Sequence, residues 1–234
     1  MGTAFGWKLI FPIYAVISLV ATICLWPAPI KSEPVANAEK VSFGRNFSLL
    51  KDSYILLPFI AIVVLVGVDV GMNVTFPKVL MDRCDFNVAN AGLGNSAYFL
   101  ARTVGAFCGG FILMKINEKK FYLVSVLVAI LGLVGILCTS NPTLMIVAVA
   151  VFGLGYSNLY GVIFSLALKH APERSNEVAS LLVTGLAGGA LITPILGIVT
   201  DIFNSQASAV VAILLVWLYM LLIYKPVSKA ATKE

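Results

Sequence analysis

The chain has 234 residues, of which 60% are hydrophobic and only 12% charged, with a formal net charge of +5. A mean hydropathy of +0.99 is more apolar surface than a water-soluble domain of this size can bury, so the solvent of the fold is a lipid bilayer. The basic excess is spread over the segments between apolar runs, which makes it a topology signal and excludes a nucleic-acid patch.

Seven apolar runs follow one another at about 9–27, 54–77, 90–114, 121–139, 143–168, 178–203 and 207–224, each near the ~20 residues that a helix needs to cross a bilayer. The prediction is an all-α polytopic membrane protein with seven transmembrane helices. Period-2 alternation broken by regular turns is missing, so a transmembrane barrel does not fit.

The first run has an apolar core from Leu9 to Trp26, longer than the ~7–15 residues of a secretory signal core, and basic residues follow it more than precede it. It is expected to be a retained helix. Only Met1 to Lys8 lie before it, a design that reads as the downstream piece of a longer protein. The polar stretch from Pro27 to Asp52, with Pro27, Pro29, Pro34 and mixed charges, reads as a linker between helix bundles. The expected divisions are a first helix at 1–28, a linker at 29–52, a six-helix bundle at 53–225 and a tail at 226–234.

The second run is interrupted by Gly67-Val-Asp69-Val-Gly71-Met-Asn73. A carboxylate and an amide at membrane depth need partners or a polar cavity, because hydrocarbon supplies neither. The third run adds Asn95, Tyr98 and Arg102, whose spacings of three and four put them on one helical face. An arginine inside a span costs at least ~2.5 kcal/mol on insertion scales unless it is paired or wet. Counted at ~1.5 Å per residue from one membrane edge, Asp69 and Arg102 fall at similar depth. They are expected to share a cavity and hold each other charged.

The fifth run repeats the device with Gly153-Leu-Gly155-Tyr156-Ser157-Asn158-Leu-Tyr160-Gly161. Corresponding interruptions in two halves of three helices each mark the binding site of a transporter built from repeats. The glycines themselves serve close helix packing, as do Gly185 and Gly189 of the sixth run, where Pro194 adds a kink. Cys24, Cys84, Cys108 and Cys138 are scattered, so no disulfide framework or metal site is predicted. No nucleophile, P-loop or dinucleotide motif is present. Neither an enzyme nor a cofactor is expected.

VGVDVGMNVTFPKVLMDR (66–83), GLGNSAYFLARTVGAFCGGFIL (92–113), GLAGGALITPILGIVTD (185–201) and FGWKLIFPIYAVISLV (5–20) resemble the major facilitator superfamily. Within it they are most similar to the fucose and glucose/galactose sugar–proton symporters. The resemblance implies helices six to twelve of twelve, that is, the C-terminal six-helix bundle plus one preceding helix. It also implies a missing N-terminal bundle as partner, and alternating access around a central cavity. The superfamily's cytoplasmic loop signature is only partly present at Met114–Lys120, and its main proton-coupling carboxylates belong to the other bundle.

The function expected is uptake of a small polar solute, a sugar accompanied by protons, across the inner (plasma) membrane. Asp69, Asn73, Asn95, Arg102 and Asn158 are the candidate hydrogen-bonding residues, with Tyr98 or Tyr156 offering a ring face. The alternatives are a carrier of another organic solute or anion, suggested by Arg102, and a seven-helix membrane protein that transports nothing. A retinal protein is excluded by the absence of lysine from 207–224.

Twelve of the sixteen Lys and Arg fall on one side if the first span enters from outside: Lys31, Lys40, Arg45, Lys51, Lys115, Lys119, Lys120, Lys169, Arg174, Lys225, Lys229 and Lys233. Basic residues resist translocation, so this side is predicted to be cytoplasmic. Reporter fusions within 31–51 and after Lys225 should both give a cytoplasmic signal. An external signal from either overturns the orientation.

Overall fold

The computed structural model describes residues 7–26 and 48–224 and divides the chain into two units, 1–40 and 41–234. In the first, a 3-10 turn at Trp7–Leu9 leads into α1 (Ile10–Leu25), on which no residue is buried. Its apolar side chains, Phe11, Tyr14, Val16, Leu19 and Ile23 among them, are all exposed, as suits a surface facing lipid or further helices rather than water. Most of the expected linker and the whole expected tail lie outside the described residues.

The described residues of the second unit are helices joined by short connections. Its elements are α2 (Ser53–Cys84), α3 (Val88–Leu113), α4 (Glu118–Cys138), α5 (Pro142–Tyr156), α6 (Leu159–His170), α7 (Ser175–Thr184), α8 (Gly188–Phe203) and α9 (Gln206–Leu222). α5 and α6 together make one apolar span, Pro142–His170, and α7 and α8 another, Pro172–Phe203. Every apolar run read from the sequence is thus helical, and they form six helical passages after α1. Five are long and apolar enough to cross a membrane. α1 and α9, at 16 and 17 residues, are shorter.

Sequence sets the ends of these helices. Asp52, Asn87, Asn117, Asn141 and Ser205 each accept a backbone N–H in the first turn of α2, α3, α4, α5 and α9, supplying bonds that the helix start cannot make for itself. Pro142 at the start of α5 fits the same logic. Asp85 and Asn204 close α2 and α8 in the left-handed region, at φ 53° and 49°, where short polar side chains are tolerated. Arg83, in the last turn of α2, donates to the terminal carbonyls of Ile136 and Leu137 on α4 at 2.8 and 3.1 Å. This fastens one end of the bundle.

α2 lies at the centre, packed against α3, α6, α8 and α9, while α4 packs on α5 and α9 and α3 on α5. The core is aromatic, with Phe76, Tyr98, Phe152, Tyr156 and Trp217 in mutual ring contact. Small residues let the backbones meet, as the glycine pattern implied. Gly67 and Gly71 face Ile192 and Leu196 of α8, and Gly189 faces Val70. The tightest approach is Gly188, where any Cβ would run into the Val63 carbonyl.

Gly188→Ala should therefore destabilise the bundle by about 1–3 kcal/mol, the usual cost of overpacking. Gly197→Ala, on the same helix but facing open space, should be neutral or stabilising by up to ~1 kcal/mol through helix propensity. Thermal unfolding of the purified protein in detergent checks the contrast. Equal losses at both positions would contradict a backbone-tight α2–α8 contact.

Candidate functional site

Asp69 sits in the middle of α2, between Gly67 and Gly71, which pack closely on α8, and its carboxylate meets α3 directly. Arg102 Nη1 lies 2.7 Å from both Asp69 oxygens, and Tyr98 donates its hydroxyl to Asp69 Oδ1 at 2.6 Å. The guanidinium also rests over the Tyr156 ring, 4.7 Å from its centroid. Such a contact stabilises a cation most where water is scarce. The pair expected from the depth count is thus made, with one tyrosine completing the acceptor and another supporting the donor.

The pair is neither sealed nor open. The side chain of Asp69 is 18% exposed and that of Arg102 33%, and both face a cavity of about 450 Å³ lined also by Val66, Tyr156, Ser157, Asn158, Tyr160, Gly161 and Leu186. That size is within the range of small-molecule sites. Both bonds to Asp69 use Nη1, so Nε and Nη2 of Arg102 have no hydrogen-bond partner among the described residues.

Four of the seven predicted residues, Asp69, Arg102, Tyr156 and Asn158, line this cavity. Tyr98 lies beneath it, fully buried in the aromatic core, with its hydroxyl on Asp69 and its ring against Phe76 and Phe152. Asn73 and Asn95 stand apart from the cavity lining and make a structural link. Pro77 has no N–H to give to the Asn73 carbonyl four residues earlier, and the Asn95 side chain reaches across from α3 to donate to that oxygen at 2.9 Å. Asn73 in turn donates its amide to the Asp69 carbonyl at 2.8 Å. The side-chain oxygens of both asparagines are buried without a partner among the described residues.

The link explains why α2 runs on to Cys84 past the apolar run that ends near residue 77 in the sequence. The proline is accommodated because a neighbouring helix replaces its missing donor. The spacing of Pro77 from Asn73 carried this signal, and residue type alone did not.

Asn158 lies in the break between α5 and α6. Its amide donates to the Gly105 carbonyl on α3 at 2.8 Å and to Ser157 Oγ at 3.0 Å. A Cβ at Gly109 would collide with the same amide, and one at Gly105 with Ser157, so two glycines of α3 make room for the helix break. Asn158 both fastens the helix break to α3 and presents the rest of its side chain to the cavity. Val66, Ser157, Tyr160, Gly161 and Leu186 complete the lining without having been predicted as site residues. Ser157, Tyr160 and Gly161 fall in the interruption of the fifth run, whereas Val66 and Leu186 are apolar wall residues with no pattern that separates them from lipid-facing ones.

Comparison with known proteins agrees with this architecture. A sequence model of the Major Facilitator Superfamily matches residues 59–234. A putative glucose/galactose transporter of Helicobacter pylori is 28% identical over 111 residues, covering 47% of this chain and 27% of that protein. A glucose/galactose transporter of Brucella abortus is 25% identical over 199 residues, 84% of this chain and 47% of that one. The chain thus spans half or less of the length of these relatives. Among solved structures, a variant of the E. coli fucose:proton symporter FucP superposes with a TM-score of 0.78 at 17% identity, over 94% of this chain and 55% of that one. FucP in the outward conformation gives a TM-score of 0.76 at 19% identity, over 93% and 53%.

Two mutational cycles test the geometry. Asp69→Asn and Arg102→Gln should each weaken the bundle, because each strands a charge in a partly buried setting. The double variant should recover roughly 1–3 kcal/mol relative to the sum. Stability measured in detergent checks this, and additivity within about 0.5 kcal/mol would mean that the pair is not coupled. Asn95→Ala should cost about 1–2 kcal/mol in the native background. It should cost much less with Pro77→Ala, which restores an N–H to the Asn73 carbonyl. An unchanged cost would show that Asn95 has another task.

Proposed function

The chain belongs to the Major Facilitator Superfamily of secondary transporters, and from that premise we propose that it forms the C-terminal wall of a proton-coupled sugar transporter of the bacterial inner membrane. The proposed partner is an N-terminal six-helix bundle, against which residues 53–225 rock to expose a central cavity to each side in turn. Residues 29–52 connect the bundles, with the C-terminus on the cytoplasmic side. The carboxylate that couples transport to protons is assigned to the partner bundle.

One observation carries the substrate class. The cavity charge is already balanced, because Arg102 bridges both oxygens of Asp69. A neutral solute entering there leaves no charge without a counter-charge, whereas a strongly charged one has to break the pair or remain unpaired. Carboxylate acceptors, guanidinium donors, the Asn158 amide and the Tyr156 and Tyr160 rings around about 450 Å³ suit a polyhydroxylated ring, which offers both hydroxyl donors and acceptors and an apolar face. The likeness to glucose/galactose transporters and to a fucose:proton symporter points the same way. In this reading Asp69, Arg102 and Asn158 bond hydroxyls, Tyr156 supports them, and Tyr98, Asn73 and Asn95 hold the helices that carry them.

A second reading is a carrier of organic anions. It is favoured by the unpaired Nε and Nη2 of Arg102, an edge suited to a carboxylate. Uptake by the full-length gene product in proteoliposomes, with and without a pH gradient, separates the two. Saturable uptake of fucose, glucose or galactose stimulated by inward protons is expected. Uptake confined to organic anions replaces the sugar reading, and no uptake of any solute in the panel overturns both.

A further inference from the structure

A second cavity, about 630 Å³, opens beside α6 and is lined by Tyr160, Gly161, Phe164, Ser165, Lys169 and Val183 among others. Tyr160 and Gly161 also line the Asp69–Arg102 cavity, so the two spaces share a wall. The lining residues of α6 recur at steps of four, which places them on one face of that helix. The face forms a track from the charged pair to the end of α6. Tyr160 to Lys169 covers roughly 13 Å at ~1.5 Å per residue, more than the width of one sugar ring.

The chemistry along the track is ordered. Tyr160 stands at the shared wall and Phe164 follows it one turn further into the second cavity, their ring centroids 5.8 Å apart and planes 30° from one another. Beyond them Ser165 Oγ and Lys169 Nζ both donate to Glu118 Oε1 on α4, at 3.3 and 2.9 Å. Lys169 and Ser165 line the cavity, as does Ser175 at the start of α7. As at the Asp69–Arg102 pair, the charge is balanced locally. As there too, aromatic faces adjoin donors and acceptors, the pattern that suits an uncharged ring bearing hydroxyls.

We infer that this second cavity is a way-station for the same class of solute, a neutral polyhydroxylated ring. Tyr160 and Phe164 serve as its platform and Ser165, Lys169 and Ser175 as its polar edge. A solute leaving the Asp69–Arg102 pair then slides along α6 from one balanced charge pair to the next. The inference rests on the sugar reading proposed above.

The test uses the full-length transporter in membranes with Ser165→Cys as a reporter for a water-soluble maleimide, and the same protein without that change as the background. Fucose, glucose and galactose are the probes, the one that is transported being used at saturating concentration. The solute should slow labelling at position 165. It should still do so when the first site is disabled by Asp69→Asn or, should that variant not assemble, by Arg102→Lys. Unchanged labelling rates without solute show that each variant retains its fold. Adding Phe164→Ala should raise the half-protecting concentration about fivefold to tenfold, the loss of one ring face. Transport without protection in the disabled variants, or protection indifferent to Phe164→Ala, overturns the way-station and leaves the sugar reading intact. Absence of transport for all three sugars overturns the sugar reading and the way-station with it.

Discussion

Everything in the six-passage unit follows from the demand that a polar group surrounded by hydrocarbon find its partner inside the protein. The Asp69–Arg102 contact is where that demand is greatest. Each charge alone at the centre of a span costs roughly 2.5–3.5 kcal/mol, and together they fix the register of α2 against α3. The Tyr98 hydroxyl and the Tyr156 face complete the arrangement. Those two rings belong to the aromatic core with Phe76, Phe152 and Trp217, so the orientation of the pair is held by the best-packed part of the molecule. Charged groups that rest on buried rings are held in one geometry.

The second constraint is steric. Helices packed without a hydrophobic driving force need close backbone approach, and the bundle obtains it where glycine removes the Cβ. Gly188 on Val63 and Gly132 on Phe152 bring α8 onto α2 and α5 onto α4. Two of the passages are nevertheless segmented, at Ser157–Asn158 and at Gly185–Ala187, and both segments border the Asp69–Arg102 cavity. Irregular backbone at membrane depth is tolerated only where protein or a cavity satisfies it. The Asn158 amide does so by binding a carbonyl of α3.

Much of this was legible in the sequence because membrane proteins write their constraints in composition. Seven apolar runs gave seven helical passages, and polar residues in those runs pointed to the Asp69–Arg102 pair and the cavity that it faces. The one-face spacing of Asn95, Tyr98 and Arg102 was correct, for all three turn to α2. What the residues would do was harder to see. Asn95 and Asp69 are both polar residues inside apolar runs, yet one serves a proline's missing hydrogen bond and the other lines a cavity, a distinction made by the partner helix. Likewise the second apolar run stops at about residue 77, and the arrival of Asn95 at the Asn73 carbonyl explains how the helix continues past Pro77 to Cys84. The apolar wall at Val66 and Leu186 carries no local signal at all.

The cross-bonds between α2 and α3 also bear on how the chain enters the membrane. Alone in the bilayer, α2 would hold an ionised Asp69 and a carbonyl at Asn73 that its own proline cannot serve. α3 alone would hold a bare guanidinium and an unmatched carboxamide. Each helix carries the other's counterpart, across a connection of only three residues between Cys84 and Val88. Entering as a hairpin, the two would meet each other's demands at once; inserted first, α2 would carry an unpaired Asp69 at roughly 2.5–3.5 kcal/mol until α3 arrived.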